Sequence, residues 1–341
     1  MHSYSTITTI ITQDLKVRED ALPLKNEACR SQFFLHAEPT AKVCLFFHGF
    51  TAGSYQFVPL AEQLFKAGYN VLIPRMPGHG QAGDWGKDNP PPLPTQSERY
   101  LKFALQWLKV ASRLGDRVII GGLSGGGTLA AWLAIERAQA IDRALLFAPY
   151  LSSSSKVVDL FVKAIGSYFE WTDVRGPSYQ GFELTALRAL LLIGRHVLKR
   201  ASKVSSAPMF IISSESDRAV GNRDHVALFN SALEHQPQCW YHRFDRVLDI
   251  PHTMLTEAEG NAYENLLNVM ATAYIESDLT WSEVEEIAYR MTKGKTFDAV
   301  VAELGLEAQV SPEMPAMITM VDKWTIVINR ELQAKRRGRR R

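Results

Sequence analysis

The middle of the chain alternates between short apolar runs and longer stretches with helical periodicity. The apolar runs are followed closely by Gly, Pro or Ser and cover residues 43–47, 71–73, 118–120, 144–147 and 209–213. The helical patterns between them cover residues 56–67, 95–114 and 126–138. Runs that are apolar at nearly every position are typical of parallel strands covered on both faces. The repeated order of strand and helix predicts an α/β fold with a doubly wound, mostly parallel sheet.

One long segment, about residues 150–206, interrupts this order between two predicted strands. It contains two helical patterns, at residues 157–169 and 184–201. A connection this long inside a compact sheet is usually a lid or subdomain, so we predict an inserted helical cap. We expect substrate to bind among cap residues from about Val157 to Ile193, without assigning any single residue. The same apolar side chains could equally form the core of the cap itself.

The C-terminal part of the chain continues with a strand pattern at residues 239–244 and a helical pattern at 256–275. After Ser277 come three further helical patterns, which cover residues 281–293, 297–304 and 317–334. We therefore predict a main domain at 1–277 that carries the cap, and a helical extension at 278–341 that ends in a basic tail.

The extension has two interpretations. Its helices could form a docking or homo-oligomerisation element, with an apolar face formed by Trp281, Ile287, Phe297, Val300, Leu304 and Trp324. Six of the last seven residues are Lys or Arg, and a charged terminus of this kind is usually solvated and disordered. Contact of this tail with nucleic acid or another anionic surface stays open as the alternative.

Composition changes this picture little. The chain has 341 residues, of which 46% are hydrophobic and 22% are charged, and its net charge is +2, as in ordinary globular enzymes. Cys29, Cys44 and Cys239 are odd in number and far apart, which argues against a disulfide framework or a metal site and favours a reducing compartment. Neither a signal peptide nor an apolar stretch approaching about 20 residues is present, so we expect a cytoplasmic protein without a transmembrane segment.

The first candidate for chemistry is Ser124, in the sequence Gly122-Leu123-Ser124-Gly125-Gly126. This sequence follows the strand pattern at 118–120 and opens the next helix. A serine on such a sharp strand-to-helix turn presents its hydroxyl above the sheet, and small residues two positions away on either side prevent clashes. The alternative is a glycine-rich helix N-terminus that binds phosphate, although the lysine of a P-loop is missing.

A serine hydroxyl needs a base, and His252 has the best position among the nine histidines. It follows the last predicted strand and precedes a helix, which places it at the carboxyl edge of the sheet. We expect His225 and His235 to lie on a helix surface, and His48 to be structural, bonding to a neighbouring loop. A histidine without a role is the alternative interpretation of His252.

The third candidate is Asp217, which follows the strand pattern at 209–213 and would orient the imidazole. The resulting chain order of Ser, Asp and His is that of α/β-hydrolase active sites. Competing acids are Glu215, Asp245 and Asp249. The backbone amides of Phe50 and Gly125 are the predicted oxyanion donors, because Phe50 follows the first strong strand and Gly125 follows the serine.

These motifs, in this order, resemble the α/β-hydrolase superfamily, and within it the bacterial carboxylesterases and monoacylglycerol lipases. The resemblance covers roughly residues 41–275. It rests on His48-Gly49-Phe50-Thr51-Ala52-Gly53-Ser54, Pro74-Arg75-Met76-Pro77-Gly78-His79-Gly80, Gly122-Leu123-Ser124-Gly125-Gly126, Asp217-Arg218-Ala219-Val220 and Pro251-His252.

The resemblance implies a serine hydrolase of carboxylic esters that forms an acyl-serine intermediate without a cofactor. The expected substrates are small-molecule esters with an apolar acyl group, from short-to-medium acyl esters to monoacylglycerol-like lipids. Two features depart from the family: many relatives have a larger residue where Gly125 stands, and nothing in the family accounts for the segment after Ser277. A thioesterase or C–C bond hydrolase on the same scaffold, or a ligand-binding relative without catalysis, remains the alternative.

Overall fold

The computed structural model describes residues 3–152, 167–171 and 175–338. A seven-stranded sheet in the order β1-β3-β2-β4-β5-β8-β9 forms the centre of this part. Only β1 is antiparallel to its neighbour, and every other adjacent pair is parallel. The doubly wound sheet predicted from the sequence is therefore confirmed. Its strands are Gln32–Phe34 (β1), Lys42–Phe47 (β2), Asn70–Ile73 (β3), Arg117–Leu123 (β4), Arg143–Phe147 (β5), Met209–Ser214 (β8) and Trp240–Phe244 (β9).

Helices cover both faces of this sheet. Those of the main part are Tyr4–Asp20 (α1), Val58–Lys66 (α2), Ser97–Ala111 (α3), Gly125–Glu136 (α4), Leu184–Ala201 (α5), Asn222–Leu233 (α6) and Glu264–Glu276 (α7). Those after Ser277 are Trp281–Met291 (α8), Phe297–Leu304 (α9), Met314–Met320 (α10) and Lys323–Gly338 (α11). No helix in the described ranges has the length and apolar character needed to span a bilayer.

The continuous apolar runs of the sequence are strands with helices on both sides. All five residues of β5 are buried, and β2 is buried from its second residue to its last. The central helix α4 is buried on nearly every side, because it packs between the sheet and α5. This packing holds the turn that precedes α4 rigidly above the sheet.

The described part of the cap differs from the prediction. Helix α5 has the predicted bounds, but Tyr168 and Phe169, which we expected at the end of a helix, belong to the strand Tyr168–Glu170 (β6). This strand pairs with Gly181–Glu183 (β7), and Phe169 lies opposite Phe182 across the hairpin. Cross-strand aromatic pairs of this kind stabilise hairpins and outweigh the helical spacing of the apolar residues. Residues 157–166 of the predicted helix lie outside the described ranges.

Two further helix predictions are wrong in their bounds. The pattern at 317–334 forms two helices, because the chain turns after Met320 and Asp322 caps α11 by accepting a hydrogen bond from the Thr325 amide at 3.0 Å. The pattern at 256–275 becomes an α-helix only at Glu264. A separate turn, Glu257–Glu259, precedes it.

The residues after Ser277 pack against the main sheet. The indole of Trp240 donates to the Leu279 carbonyl at 3.0 Å, and Arg143 forms a 2.6 Å ion pair with Asp278. Val284 and Ile287 of α8 are fully buried in the same core as the sheet. The division into a domain at 1–277 and an extension at 278–341 stays a prediction.

Candidate active site

Ser124 occupies a strained turn between β4 and α4. Its φ of 54° and ψ of −115° place a residue with a side chain where L-residues are rarely found. Its amide donates to the Phe147 carbonyl at 2.9 Å, and its carbonyl accepts from the Thr128 amide at 2.9 Å. Strain held by its surroundings in this way is characteristic of functional sites, and it projects the serine side chain away from both flanking elements.

The glycines two residues before and after Ser124 are required by close backbone approach. A Cβ atom on Gly122 would lie 2.2 Å from the Gly126 carbonyl oxygen, and one on Gly126 would lie 2.0 Å from the Phe47 carbonyl oxygen. Neither backbone can move without displacing the sheet. The small residues expected at both positions thus have a direct steric reason.

Asp217 and His252 form a hydrogen-bonded pair at the carboxyl edge of the sheet. The distance from His252 Nδ1 to Asp217 Oδ2 is 2.7 Å, and the Asp217 side chain is completely buried. The other carboxylate oxygen accepts from the amides of Ala219 at 2.8 Å and Val220 at 3.2 Å. Because an ionised carboxylate only accepts, Nδ1 carries the proton and Nε2 is left free to act as a base.

The pair shifts the proton affinity of both members. Burial raises the pKa of Asp217, but the charge of His252 and the three hydrogen bonds outweigh it, so the net pKa is lowered. Burial lowers the pKa of His252, but the charge and hydrogen bond of Asp217 outweigh it, so the net pKa is raised. The His252 side chain keeps 22% exposure, which leaves it accessible from the site.

The competing acids do not reach His252. Glu215 forms a 2.9 Å ion pair with Arg243, and the Asp245 carboxylate caps a turn through the Val247 amide at 2.8 Å. Asp249 is exposed at the end of the same turn. Of the four candidates, only Asp217 bonds to the imidazole.

Ser124 lies at the same edge of the sheet as this pair. It follows β4, whereas Asp217 and His252 follow β8 and β9, and these strands are parallel. The segment after β5 contacts both the serine turn and α6: the Tyr150 amide donates to Ser124 O at 3.0 Å, and the Pro149 carbonyl lies 2.8 Å from Nε2 of His225 on α6.

No hydrogen bond joins the Ser124 hydroxyl to His252 among the residues described. In unliganded hydrolases this contact is often long and tightens only with substrate. The direct serine–histidine contact therefore stays a prediction.

The two predicted oxyanion amides lie close together. A Cβ atom on Gly125 would be 3.6 Å from the Phe50 amide nitrogen and 3.2 Å from Phe50 Cβ. It would also lie 2.7 Å from Leu190 Cδ1 on the cap helix α5, which explains why glycine occurs here instead of a larger residue. Within the described part of the chain, neither amide has a hydrogen-bond acceptor.

The structure tests the predictions for two other histidines, His48 and His225. His48 is structural as expected: its Nε2 accepts from the Met76 amide at 2.9 Å, and burial lowers its pKa to about 4. His225 was expected on a helix surface, and this prediction is wrong. It is fully buried, with Nε2 bonded to the Pro149 carbonyl, because the inner face of α6 packs beneath the site.

Sequence reasoning missed a buried acid beside the histidine. Glu259 is only 2% exposed and is bonded to Tyr55 and Gln56 from the segment after β2. Glu259 follows His252 by seven residues, but nothing local in the sequence distinguishes it from the exposed Glu257. Within the described ranges, no group of three or more His, Cys, Asp or Glu side chains is arranged to hold a metal ion.

Comparison with known proteins agrees with this architecture. A family model described as serine aminopeptidase, S33, matches residues 38–181. The thermostable monoacylglycerol lipase of Bacillus sp. (strain H-257) is 29% identical over 204 residues, which cover 53% of this chain and 74% of that one. A structure reported for the metagenome-derived lipolytic enzymes LipS and LipT has a TM-score of 0.59 at 17% identity, over 73% of this chain and 98% of that one. The chain therefore has the α/β-hydrolase fold.

Other solved structures share the fold of this chain at similarly low identity. The monoacylglycerol lipase of Paleococcus ferrophilus has a TM-score of 0.51 and 18% identity, over 63% of this chain and 88% of that one. Est1E of Butyrivibrio proteoclasticus, with ferulic acid bound, has a TM-score of 0.52 and 16% identity, over 70% of this chain and 90% of that one. Each neighbour is covered more completely than the present chain, so part of this chain lies outside the shared fold.

Proposed function

We propose that the protein is a serine hydrolase that cleaves carboxylic esters through an acyl-serine intermediate. The observation that carries this proposal is the 2.7 Å contact between His252 and the buried Asp217, at the sheet edge where Ser124 occupies its strained turn. The similarity to a monoacylglycerol lipase gives it independent support.

In the proposed mechanism, the Ser124 hydroxyl attacks the ester carbonyl while His252 Nε2 takes its proton. The carbonyl oxygen becomes an oxyanion, which accepts hydrogen bonds from the amides of Phe50 and Gly125. As the tetrahedral intermediate collapses, the C–O bond to the alcohol breaks and His252 gives its proton to the leaving oxygen. Water then attacks the acyl-serine with His252 as base, which releases the acid and restores the Ser124 hydroxyl.

Aromatic side chains beside the site support an apolar substrate. The Phe50 ring lies 5.0 Å from the Phe182 ring, which in turn lies 5.6 Å from both Phe169 and Trp171. Phe169 and Trp171 are 41% and 39% exposed, so this cluster leads from the proposed oxyanion residue to the surface. We propose short-to-medium acyl esters or monoacylglycerol-like lipids as substrates, bound through an apolar acyl group.

Activity on a series of p-nitrophenyl esters from acetate to palmitate tests this proposal. We expect turnover by the wild type and a loss of at least about 10³-fold in kcat for Ser124→Ala, since the nucleophile is then missing. An acyl-thioester, a C–C hydrolase substrate and an aminoacyl anilide should each be cleaved more slowly than the best ester. Faster cleavage of any of these would assign the site to that reaction instead.

Labelling by a fluorophosphonate separates catalysis from ligand binding alone. An activated serine reacts with this probe, so the wild type should be labelled and Ser124→Ala should not. A wild type that neither reacts nor hydrolyses any ester would identify a binding protein that has kept the fold.

For location and assembly we propose a cytoplasmic protein, because Cys29, Cys44 and Cys239 are all free and buried. The residues after Ser277 remain the proposed element for docking or homo-oligomerisation. Fractionation of cells and light scattering of the purified chain test these two statements.

A further inference from the structure

We propose that Glu259 is a positioning residue that, through Gln56, couples the loop of the proposed base to the loop of the proposed oxyanion donor. Here the histidine loop is residues 245–263 and the oxyanion loop is residues 48–53. The inference rests on the function proposed above and adds to it residues outside the triad.

Glu259 is a buried carboxylate surrounded by hydrogen-bond donors. It accepts from Tyr55 OH at 2.8 Å, from Gln56 Nε2 at 3.0 Å to each oxygen, and from Thr256 Oγ1 at 3.4 Å. Burial raises the pKa of Glu259, and the hydrogen bonds and the charge of His252 offset this only in part. Three side chains donate hydrogen bonds to this carboxyl group, so it acts as an acceptor. An ionised carboxylate only accepts, and these bonds therefore favour the ionised form.

The carboxylate fixes which way the Gln56 amide points. Because Glu259 accepts only, the NH₂ end of Gln56 must face it, and the carbonyl end must face the opposite side. There the Gln56 Oε1 accepts from the Gly49 amide at 2.7 Å. Gly49 directly precedes Phe50, so this bond orients the chain that carries the proposed oxyanion amide.

Glu259 is part of the histidine loop, and its backbone is hydrogen-bonded within that loop. Its backbone carbonyl accepts from Thr253 Oγ1 at 3.2 Å, one residue after His252, and its amide donates to Thr256 Oγ1 at 3.2 Å. Its charge is also one of the effects that raise the pKa of His252, after that of Asp217. Glu259 thus contacts the support of the base mainly through its backbone and the support of the oxyanion donor through its side chain.

The same network reaches the inserted segment. Tyr55 OH lies 3.0 Å from Ser178 Oγ, and the Tyr179 amide donates to the Thr51 carbonyl at 3.0 Å in the oxyanion loop. Among the described residues, the titratable groups that act on Glu259 are Tyr55 and His252, and the guanidinium of Arg175 lies beside the neighbouring Gly260. Glu259 therefore lies where three loops of the site meet.

Glu259→Gln is the direct test. The variant keeps the shape of the side chain but loses its charge, and it no longer dictates the orientation of Gln56. We expect kcat to fall about 10-fold with KM changed by less than about 2-fold, because donor alignment matters most in the transition state. The acidic limb of the kcat/KM profile should move to lower pH, because His252 loses an anion that favours its protonated form.

A matched control and a rescue accompany this variant. Glu257→Gln changes an exposed acid in the same turn and should leave kcat and the acidic limb unchanged. The exchange Gln56→Glu with Glu259→Gln restores one carboxylate and one amide to the pair: the Gly49 amide then has a carboxylate oxygen as acceptor in place of the Gln56 amide oxygen, and the side-chain amide at position 259 can donate to that carboxylate. We expect this double variant to recover most of the kcat that Glu259→Gln loses.

An NMR titration of His252 in wild type and Glu259→Gln completes the test without relying on turnover. We expect the pKa of His252 to be lower in the variant by at least a few tenths of a unit. A Glu259→Gln protein with reduced thermal stability but unchanged kcat, acidic limb and His252 pKa would show a purely structural role and overturn the proposal. Failure of the wild type to cleave any ester would refute the proposed function. The difference in His252 pKa between wild type and Glu259→Gln would still show whether Glu259 acts on His252.

Discussion

Asp217 and His252 show how two neighbouring residues can set the chemistry of a site. Asp217 is buried and would resist ionisation, yet the imidazole and two backbone amides keep it charged. That charge in turn makes His252 a stronger base than a free imidazole. The same contact fixes the tautomer, so Nε2 is the atom available to a serine proton.

Asp217→Asn should reduce kcat by about 10³- to 10⁴-fold, because an amide cannot favour the same tautomer or stabilise the imidazolium. The raised pKa of His252 means that the wild type loses its neutral base at a higher pH than a free imidazole would. Removing the charge lowers this pKa, so the acidic limb of the residual activity should move to lower pH. A pH profile of kcat/KM measures the shift, and a limb that stays in place would contradict this account of the pair.

Gly125→Ala tests the tight contact over the proposed oxyanion donors. The new methyl group meets Leu190 Cδ1 at 2.7 Å and Phe50 Cβ at 3.2 Å, so Phe50 must move. We expect kcat to fall between about 3-fold and 30-fold with little change in thermal stability. Adding Leu190→Ala relieves one of the two contacts and should recover part of the loss; a double variant slower than Gly125→Ala would show that Leu190 is not the obstacle.

At the scale of elements, the sequence predicts best where burial and local pattern agree. Helix α5 has the predicted bounds, and each strand predicted by an apolar run is present. The predictions fail where long-range contacts decide. Tyr168 and Phe169 form a strand because Phe182 provides a partner across the hairpin, and β1 is held by pairing with β3, which its own short sequence does not reveal.

The candidate site likewise has features that the local sequence predicts and features that depend on long-range contacts. The order of Ser124, Asp217 and His252 along the chain follows from which strand each one succeeds, and this order can be read locally. The pairing of Gln56 with Glu259 joins residues that are 203 positions apart, so no local pattern indicates it. The burial of His225 likewise depends on the Pro149 carbonyl, 76 residues away.

Thr280 offers a test at the start of helix α8. Its hydroxyl accepts from the Glu283 amide and the Glu283 carboxylate accepts from the Thr280 amide, which together form a capping box. Thr280→Ala should lower the free energy of unfolding by about 1 kcal/mol, with the esterase rate unchanged. Thr280→Ser, which keeps the capping hydroxyl, is the control and should alter stability by less than about 0.5 kcal/mol. If urea denaturation gives the same change in the free energy of unfolding for both variants, the capping hydroxyl does not account for the loss of stability.

At the scale of the whole molecule, the segment after Ser277 completes the main core. Val284, Ile287, Val300, Met314, Met317 and Ile318 are fully buried in a cluster that also contains the strands. Ile287 and Val300, which we assigned to a docking face, are therefore covered within the chain itself. Trp324 remains 79% exposed on α11 and is the member of the predicted docking face that is most accessible to a partner.

Two truncations distinguish the packed part of this segment from its basic end. Burial of one large aliphatic side chain contributes about 1.5–3 kcal/mol, and the total stability of a domain is about 5–15 kcal/mol. Removing residues 278–341 deletes several such side chains and uncovers Trp240 and Phe229, so we expect a product that is insoluble or lacks a cooperative thermal transition. Removing only residues 335–341 takes away six Lys or Arg side chains and no apolar one, so we expect the Tm and esterase rate to match those of the full chain. If the larger truncation instead melts cooperatively and keeps full esterase activity, then the boundary after Ser277 separates two independent units, and the shared core contributes little to the hydrolase fold.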